Sequence, residues 1–126
     1  MDDILLVGGG IGGLAAALAL GRAGAGTQLF EQSPAFTEVG AGIGLGPNAV
    51  RRLQGWGVWE ALQAKGFVPS QLVVVDAKNG QQLGCLPMAK AFEQRYGAPY
   101  LTIHRADLHQ VLSDAVNAQG LSALHR

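Results

Sequence analysis

Six consecutive residues, Gly8-Gly9-Gly10-Ile11-Gly12-Gly13, could do chemistry with no reactive side chain among them. Gly8, Gly10 and Gly13 fall into the spacing G-x-G-x-x-G. Each glycine has a physical task. Gly8 permits a tight turn, and Gly10 lets a pyrophosphate approach the backbone, because a side chain there would occupy its place. Gly13 lets the following helix pack closely on a sheet. The amides of Ile11 and Gly12 lie where a helix begins and leaves its N–H groups without partners, which is a ready anion site. Glu31, 23 residues after Gly8 and at the end of the next apolar run, is placed to accept hydrogen bonds from a ribose. A P-loop is excluded, because Leu14 stands where Lys would be required. A methyltransferase loop, read as G-x-G-x-G on Gly8, Gly10 and Gly12, stays open as an alternative. The bland reading is a buried glycine turn with no ligand.

Further candidates lie downstream. Glu38-Val39-Gly40-Ala41-Gly42-Ile43-Gly44-Leu45-Gly46-Pro47-Asn48 interleaves glycine with apolar residues. Such a segment suits backbone packed on a flat, partly apolar body, or else it is a surface loop. Arg105 stands at the start of an amphipathic stretch, where the helix dipole disfavours a cation. An anion nearby would account for it. His104, His109 and His125 lack metal-ligand spacing and read as solvated or packed side chains. Cys85 reads as a small apolar filler, and Trp56 and Trp59 as core.

The elements that must position these residues follow from pattern. Ile4–Val7 is wholly apolar, as expected of a buried parallel strand. Leu14–Ala23 reads as a helix with Gly24 as its C-cap, and Ala17 and Gly24 extend the small face begun at Gly13. Thr27–Phe30 reads as a second strand, which completes β-α-β. Residues 32–46 read as a loop. Pro47 opens a helix with Ala49, Val50 and Leu53 inward and Arg51 and Arg52 outward. Val58–Ala64 reads as a short helix. Gln71–Ala77 and Gln81–Leu86 flank Asn79-Gly80, a strong hairpin signal. Pro99–Ile103 reads as a strand. Asp107–Gln119 reads as a helix with Leu108, Val111, Leu112, Ala115 and Val116 on one face, stopped by Gly120, and Leu121–Arg126 begins another strand.

Composition bounds the function. The 126 residues are 48% hydrophobic and only 14% charged, which suits a segment living largely inside a larger assembly. Nine basic and nine acidic residues give zero net charge, with no basic patch for nucleic acid. Nothing reaches the length of a membrane span. Asp2 and Asp3 stand where a signal peptide would be basic, and the lone Cys85 precludes an internal disulfide, so a cytoplasmic location is expected.

Taken together, three segments resemble the single-component (group A) flavoprotein aromatic hydroxylases over nearly the whole chain. Val7–Leu14 with Phe30-Glu31-Gln32 is similar to the family's FAD opening. Glu38–Ile43 with Gly46-Pro47-Asn48 is similar to its loop beside the flavin ring, and His104–His109 to the segment leading into an FAD-contacting Arg. The resemblance implies an α/β, Rossmann-like FAD-binding segment with inserted helices and a hairpin. It implies cofactor contacts at Gly8, Gly10, Ile11, Gly12, Gly13, Glu31, Gln32, Gly42, Ile43 and Arg105. The implied activity is hydroxylation of a hydroxybenzoate-like aromatic acid, with NADH or NADPH reducing FAD and O₂ supplying the oxygen. Another FAD oxidoreductase of the same fold is the nearer alternative. Family members run to roughly three times this length. Residues 1–126 would therefore be the N-terminal part of the FAD-binding domain, without the substrate domain or the later FAD motifs, inactive alone and inclined to self-associate. Two departures stand out. Gln32 replaces the basic residue expected after Glu31, and Gly44 stands where some members carry histidine.

Overall fold

The computed structural model describes residues 4–35 and 41–126. Its frame is the expected β-α-β opening. β1 (Ile4–Val7) and β2 (Thr27–Phe30) pair in parallel, Ile4 opposite Thr27 and Val7 opposite Phe30. α1 (Ile11–Arg22) forms the crossover. It begins three residues earlier than the first Leu of the Ala/Leu run, inside the glycine segment, because nothing bulky there obstructs a helical turn. Its end is a Schellman motif: the Gly24 N–H donates to the Gly21 carbonyl and the Ala25 N–H to that of Leu20. Gly24, at φ +82°, is exposed and takes no part in the small face, contrary to expectation. Gly21 takes that place, on the same side as Gly13 and Ala17, and the Gln119 amide fills the space where its Cβ would be.

β7 (Ser122–His125) joins the far side of β2, giving a parallel sheet ordered β1-β2-β7. Thr27 and Ser122 share a hydroxyl hydrogen bond of 2.6 Å where the two strands begin. α5 (Arg105–Gln119) packs along α1 and puts Leu108, Val111, Leu112 and Val116 into the core. α2 (Pro47–Gly55) and α3 (Trp59–Lys65) add Val50, Leu53 and Leu62, with Trp56 and Trp59 packed against the cluster.

Residues 41–46 are not all loop. β3 (Gly42–Leu45) pairs antiparallel with β6 (Leu101–His104), Gly42 opposite His104. Glycine ordinarily disfavours a strand, but β6 offers an edge, and the Tyr100 hydroxyl occupies the space where a Gly44 side chain would stand. α4 (Lys90–Tyr96) is an element with no sequence signal, since it buries nothing and has no side-chain N-cap. The hairpin forms as expected from β4 (Gln71–Val75) and β5 (Gln82–Pro87), turning through Gly80 at φ +72°.

Two burial expectations fail. β1 is a strand but not a buried one: Leu5 is 67% and Val7 90% exposed. Of the strand only Leu6 packs against the core, and Ile4, Leu5 and Val7 are exposed. Cys85 is exposed too, with its sulfur 3.5 Å from Gln71 Oε1, so it fills no gap. Among the described residues no helix is long and apolar enough to cross a membrane.

Candidate functional site

Parallel strands that end together leave a crevice beyond their carboxyl ends, where ligands of open α/β sheets sit. Here β1 ends at Val7, β2 at Phe30 and β7 at His125. The ladder continues one step past them. The Gly8 N–H donates to the Phe30 carbonyl at 2.7 Å, and the Glu31 N–H donates to the His125 carbonyl at 2.8 Å. Gly8 and Glu31, far apart in sequence, are thereby fixed side by side. A cleft of about 420 Å³ opens at this edge, lined by Val7, Phe30, Glu31, Gln32, His125 and Arg126.

The three motif glycines differ in what surrounds them. Gly8 has φ +98°, a left-handed turn that a side chain would strain. At Gly13 an added Cβ would run into the Gly8 carbonyl and press on Leu29, so its bareness serves close packing. At Gly10 and Gly12 nothing lies within 4 Å of the Cβ position. Their bareness serves no packing among the described residues and leaves open backbone at the start of α1. Gly10 is the N-cap and makes no side-chain cap bond, so the first-turn amides that follow, Ile11 and Gly12 among them, present N–H groups at the positive end of the helix.

Glu31 is engaged with the glycine run itself. Its Oε2 accepts the Gly9 N–H at 2.7 Å, and its Oε1 accepts the Ser33 N–H at 2.8 Å. The Ser33 and Gly9 amides hold its carboxyl below the usual carboxylate range, helped by Gln32 and His109 and opposed by partial desolvation. Each carboxylate oxygen keeps a further lone pair for a hydroxyl donor. Gln32 is exposed on the cleft.

The second glycine segment arrives by strand pairing. The Arg105 N–H donates to the Ala41 carbonyl at 2.8 Å, one step beyond the Gly42–His104 pair, which places Gly42 beside Arg105. Gly42 is exposed with nothing within 4 Å of its Cβ position, while Ile43 is half-buried opposite Ile103. The Glu38-Val39-Gly40 part of the segment lies outside the described residues, as do Asp2 and Asp3. Arg105 is exposed at the first turn of α5.

His109 is more than the solvated or packed side chain its sequence context suggests. It is 3% exposed, and its Nε2 lies 2.8 Å from the Gly9 carbonyl oxygen. It stands four residues after Arg105, on the same side of α5. Its signal was available, because it is a polar residue falling within the apolar stripe of an amphipathic helix.

The family profile described as FAD binding domain matches residues 1–126. A 3-hydroxybenzoate 6-hydroxylase of Polaromonas naphthalenivorans (strain CJ2) is 44% identical over 93% of this chain and 29% of its own length. A 6-hydroxynicotinate 3-monooxygenase of Bordetella bronchiseptica (strain ATCC BAA-588 / NCTC 13252 / RB50) is 38% identical over 91% of this chain and 30% of its own. Among solved structures, the tetrameric form of 2-methyl-3-hydroxypyridine-5-carboxylic acid oxygenase superposes with a TM-score of 0.82 at 26% identity, covering 98% of this chain and 31% of that one. The chain thus spans about 30% of the length of the curated relatives it matches. Nothing in these likenesses supports the methyltransferase alternative. With its glycine run, its acid after the second strand and its profile match over all 126 residues, the chain belongs to the FAD binding domain family.

Proposed function

We propose that this chain cradles the ADP half of FAD as the N-terminal part of the FAD-binding domain of a flavoprotein monooxygenase acting on a hydroxybenzoate-like aromatic acid. The observation that carries this reading is the open backbone of Gly10 and Gly12. None of the described residues fills the space in front of them, while Gly13 is bare for a packing reason. Such a cradle fits a pyrophosphate, and a Cβ would close it. The Ile11 and Gly12 amides receive the anion, with Gly8 turning the chain and Gly13 seating the helix. Glu31 takes the adenosine ribose on its remaining lone pairs, with Gln32 beside it. Arg105 pairs with pyrophosphate or ribityl oxygens, and Gly42 and Ile43 lie along the flavin ring.

Bound FAD would supply the redox chemistry, with NADH or NADPH as electron donor and O₂ as oxidant. The chain's own residues bind and orient. The bare faces of β1 and of the hairpin are surfaces covered in the complete enzyme and prone to self-association without it. The aromatic acid as substrate accords with the relatives' names; a role in aromatic-compound catabolism in the cytoplasm is part of the same proposal. Flavin fluorescence titration of the purified chain tests the cofactor. Saturable quenching by FAD, with no binding of S-adenosylmethionine, is the expected result. Binding of S-adenosylmethionine in place of FAD would contradict it.

A further inference from the structure

Two side chains from distant parts of the chain grip a single residue of the glycine run. Glu31 Oε2 accepts the Gly9 N–H at 2.7 Å, and His109 meets the Gly9 carbonyl at 2.8 Å. A carbonyl oxygen only accepts, so His109 Nε2 carries the proton and donates. Both His109 and Gly9 are buried. An apolar residue would continue the buried stripe of α5 equally well, but it would leave the Gly9 carbonyl buried without this donor.

The geometry of the peptide unit turns that grip into an aiming device. The Gly9 carbonyl and the Gly10 N–H belong to one trans peptide and point in opposite directions. Holding the carbonyl toward α5 therefore turns the Gly10 N–H away from α5. The Gly8–Gly9 peptide is held in the same way from the other end. Glu31 takes its N–H, and its carbonyl points into the space left by the bare Gly13. Both peptides flanking Gly9 are thus set by side chains, whereas Gly10 itself meets nothing within 4 Å at its Cβ position.

We infer that His109 is a positioning residue for dinucleotide binding, fixing the Gly10 amide from α5 before the pyrophosphate arrives. The inference rests on the nucleotide reading given above. It makes α5 the common mount of two groups, since Arg105 stands one turn before His109, about 6 Å along the axis. A loop already set in its bound shape loses less freedom on binding, so removing the grip weakens the ligand without removing any contact to it.

The test uses His109→Phe, which keeps a ring but no donor, and His109→Gln, which keeps an N–H donor. Affinities for ADP and FAD are measured by titration calorimetry, and unliganded stability by thermal melting. The Phe variant should raise the Kd for ADP and FAD alike by about 5- to 20-fold, as loss of one buried hydrogen bond implies. The Gln variant should return to within about 3-fold of wild type, as a regained donor implies, even where both variants melt at the same temperature. ADP affinity in the Phe variant equal to wild type overturns the role of His109 and leaves the nucleotide reading standing. A wild-type chain that binds neither ADP nor FAD overturns that reading and this inference with it. Should the Phe variant fail to fold, ¹⁵N imidazole spectra of the wild type decide. His109 should carry a proton on Nε2 both before and after saturation with ADP, as a preset donor to the Gly9 carbonyl requires, and a spectrum with no proton on Nε2 overturns the inference.

Discussion

The corner where β1, α1, β2 and α5 meet and the β4–β5 hairpin are both rich in apolar and small residues, yet they solve opposite problems. In the corner Leu14, Ala17, Leu18, Leu29, Leu108 and Leu112 are all buried, and polar contacts reach across the chain to Gly9. In the hairpin every residue of β4 is exposed, and Leu83 is 65% exposed. The hairpin is held by its turn instead. The Lys78 N–H donates to Asp76 Oδ1 and the Gln81 N–H to Asn79 Oδ1, each at 2.8 Å. Local turn chemistry can set an element and its register with no core beneath it. A precise phosphate-sized cradle needs long-range packing, because its walls come from segments far apart in sequence.

The sharpest break in that comparison is expected at two glycines three residues apart. Gly10→Val should abolish FAD binding, a loss of roughly 100-fold or more for a side chain standing in the pyrophosphate's place. Its melting temperature should stay close to wild type, because the Cβ meets open space. Gly13→Ala should instead destabilise the fold by about 1–3 kcal/mol, the range for overpacking, since its Cβ collides with the Gly8 carbonyl. Circular dichroism melting beside flavin retention on gel filtration separates the two. A Gly10→Val protein that still elutes yellow contradicts the cradle.

Arg105 comes next. Arg105→Ala should weaken FAD by about 1.5–3 kcal/mol, the range for a charged hydrogen bond, or roughly 10- to 150-fold in Kd. An unchanged Kd by fluorescence titration would remove Arg105 from the site.

Much of the corner was legible in the sequence because each part obeys a local rule. The apolar run of β1, the glycines, and Glu31 after the second strand are spaced as a dinucleotide turn requires. What escaped depends on tertiary partners. β3 is a strand because β6 pairs with it, which glycine-rich sequence cannot announce. α4 buries nothing, so no apolar stripe marks it. β1 reads as buried by composition, but burial belongs to what covers a strand, and Val7 stands open. The small face continues through Gly21 rather than Gly24, because Gln119 from α5 occupies the space a Gly21 side chain would take. His109 escaped for the same reason, because the Gly9 carbonyl it meets lies 100 residues away in sequence.

Two smaller effects sharpen the contrast. The Glu31 carboxyl lies below its ordinary range because the Ser33 and Gly9 amides stabilise the anion. A lowered folded value means that its stabilisation is fully present above the unfolded value, about 4.3, and is lost as pH falls through the folded one. Glu31→Gln should therefore flatten the fall in melting temperature on acidification below that pH, and an identical acid limb would show that the anion contributes nothing. On the hairpin, Val74→Lys should change stability by no more than about 0.5 kcal/mol, as for other open surface positions. It should reduce self-association in sedimentation velocity. A large loss of stability would show that this face is packed in the folded chain.

The central claim is that the flavin nucleotide is held by its ADP half, at the open glycines beyond the ends of β1 and β2. Displacement of bound FAD from the wild-type chain, followed by flavin fluorescence anisotropy, tests it most directly. ADP should release FAD completely and competitively, while riboflavin at the same concentration should release none. FAD that stays bound under saturating ADP, or leaves on addition of riboflavin, would contradict the claim.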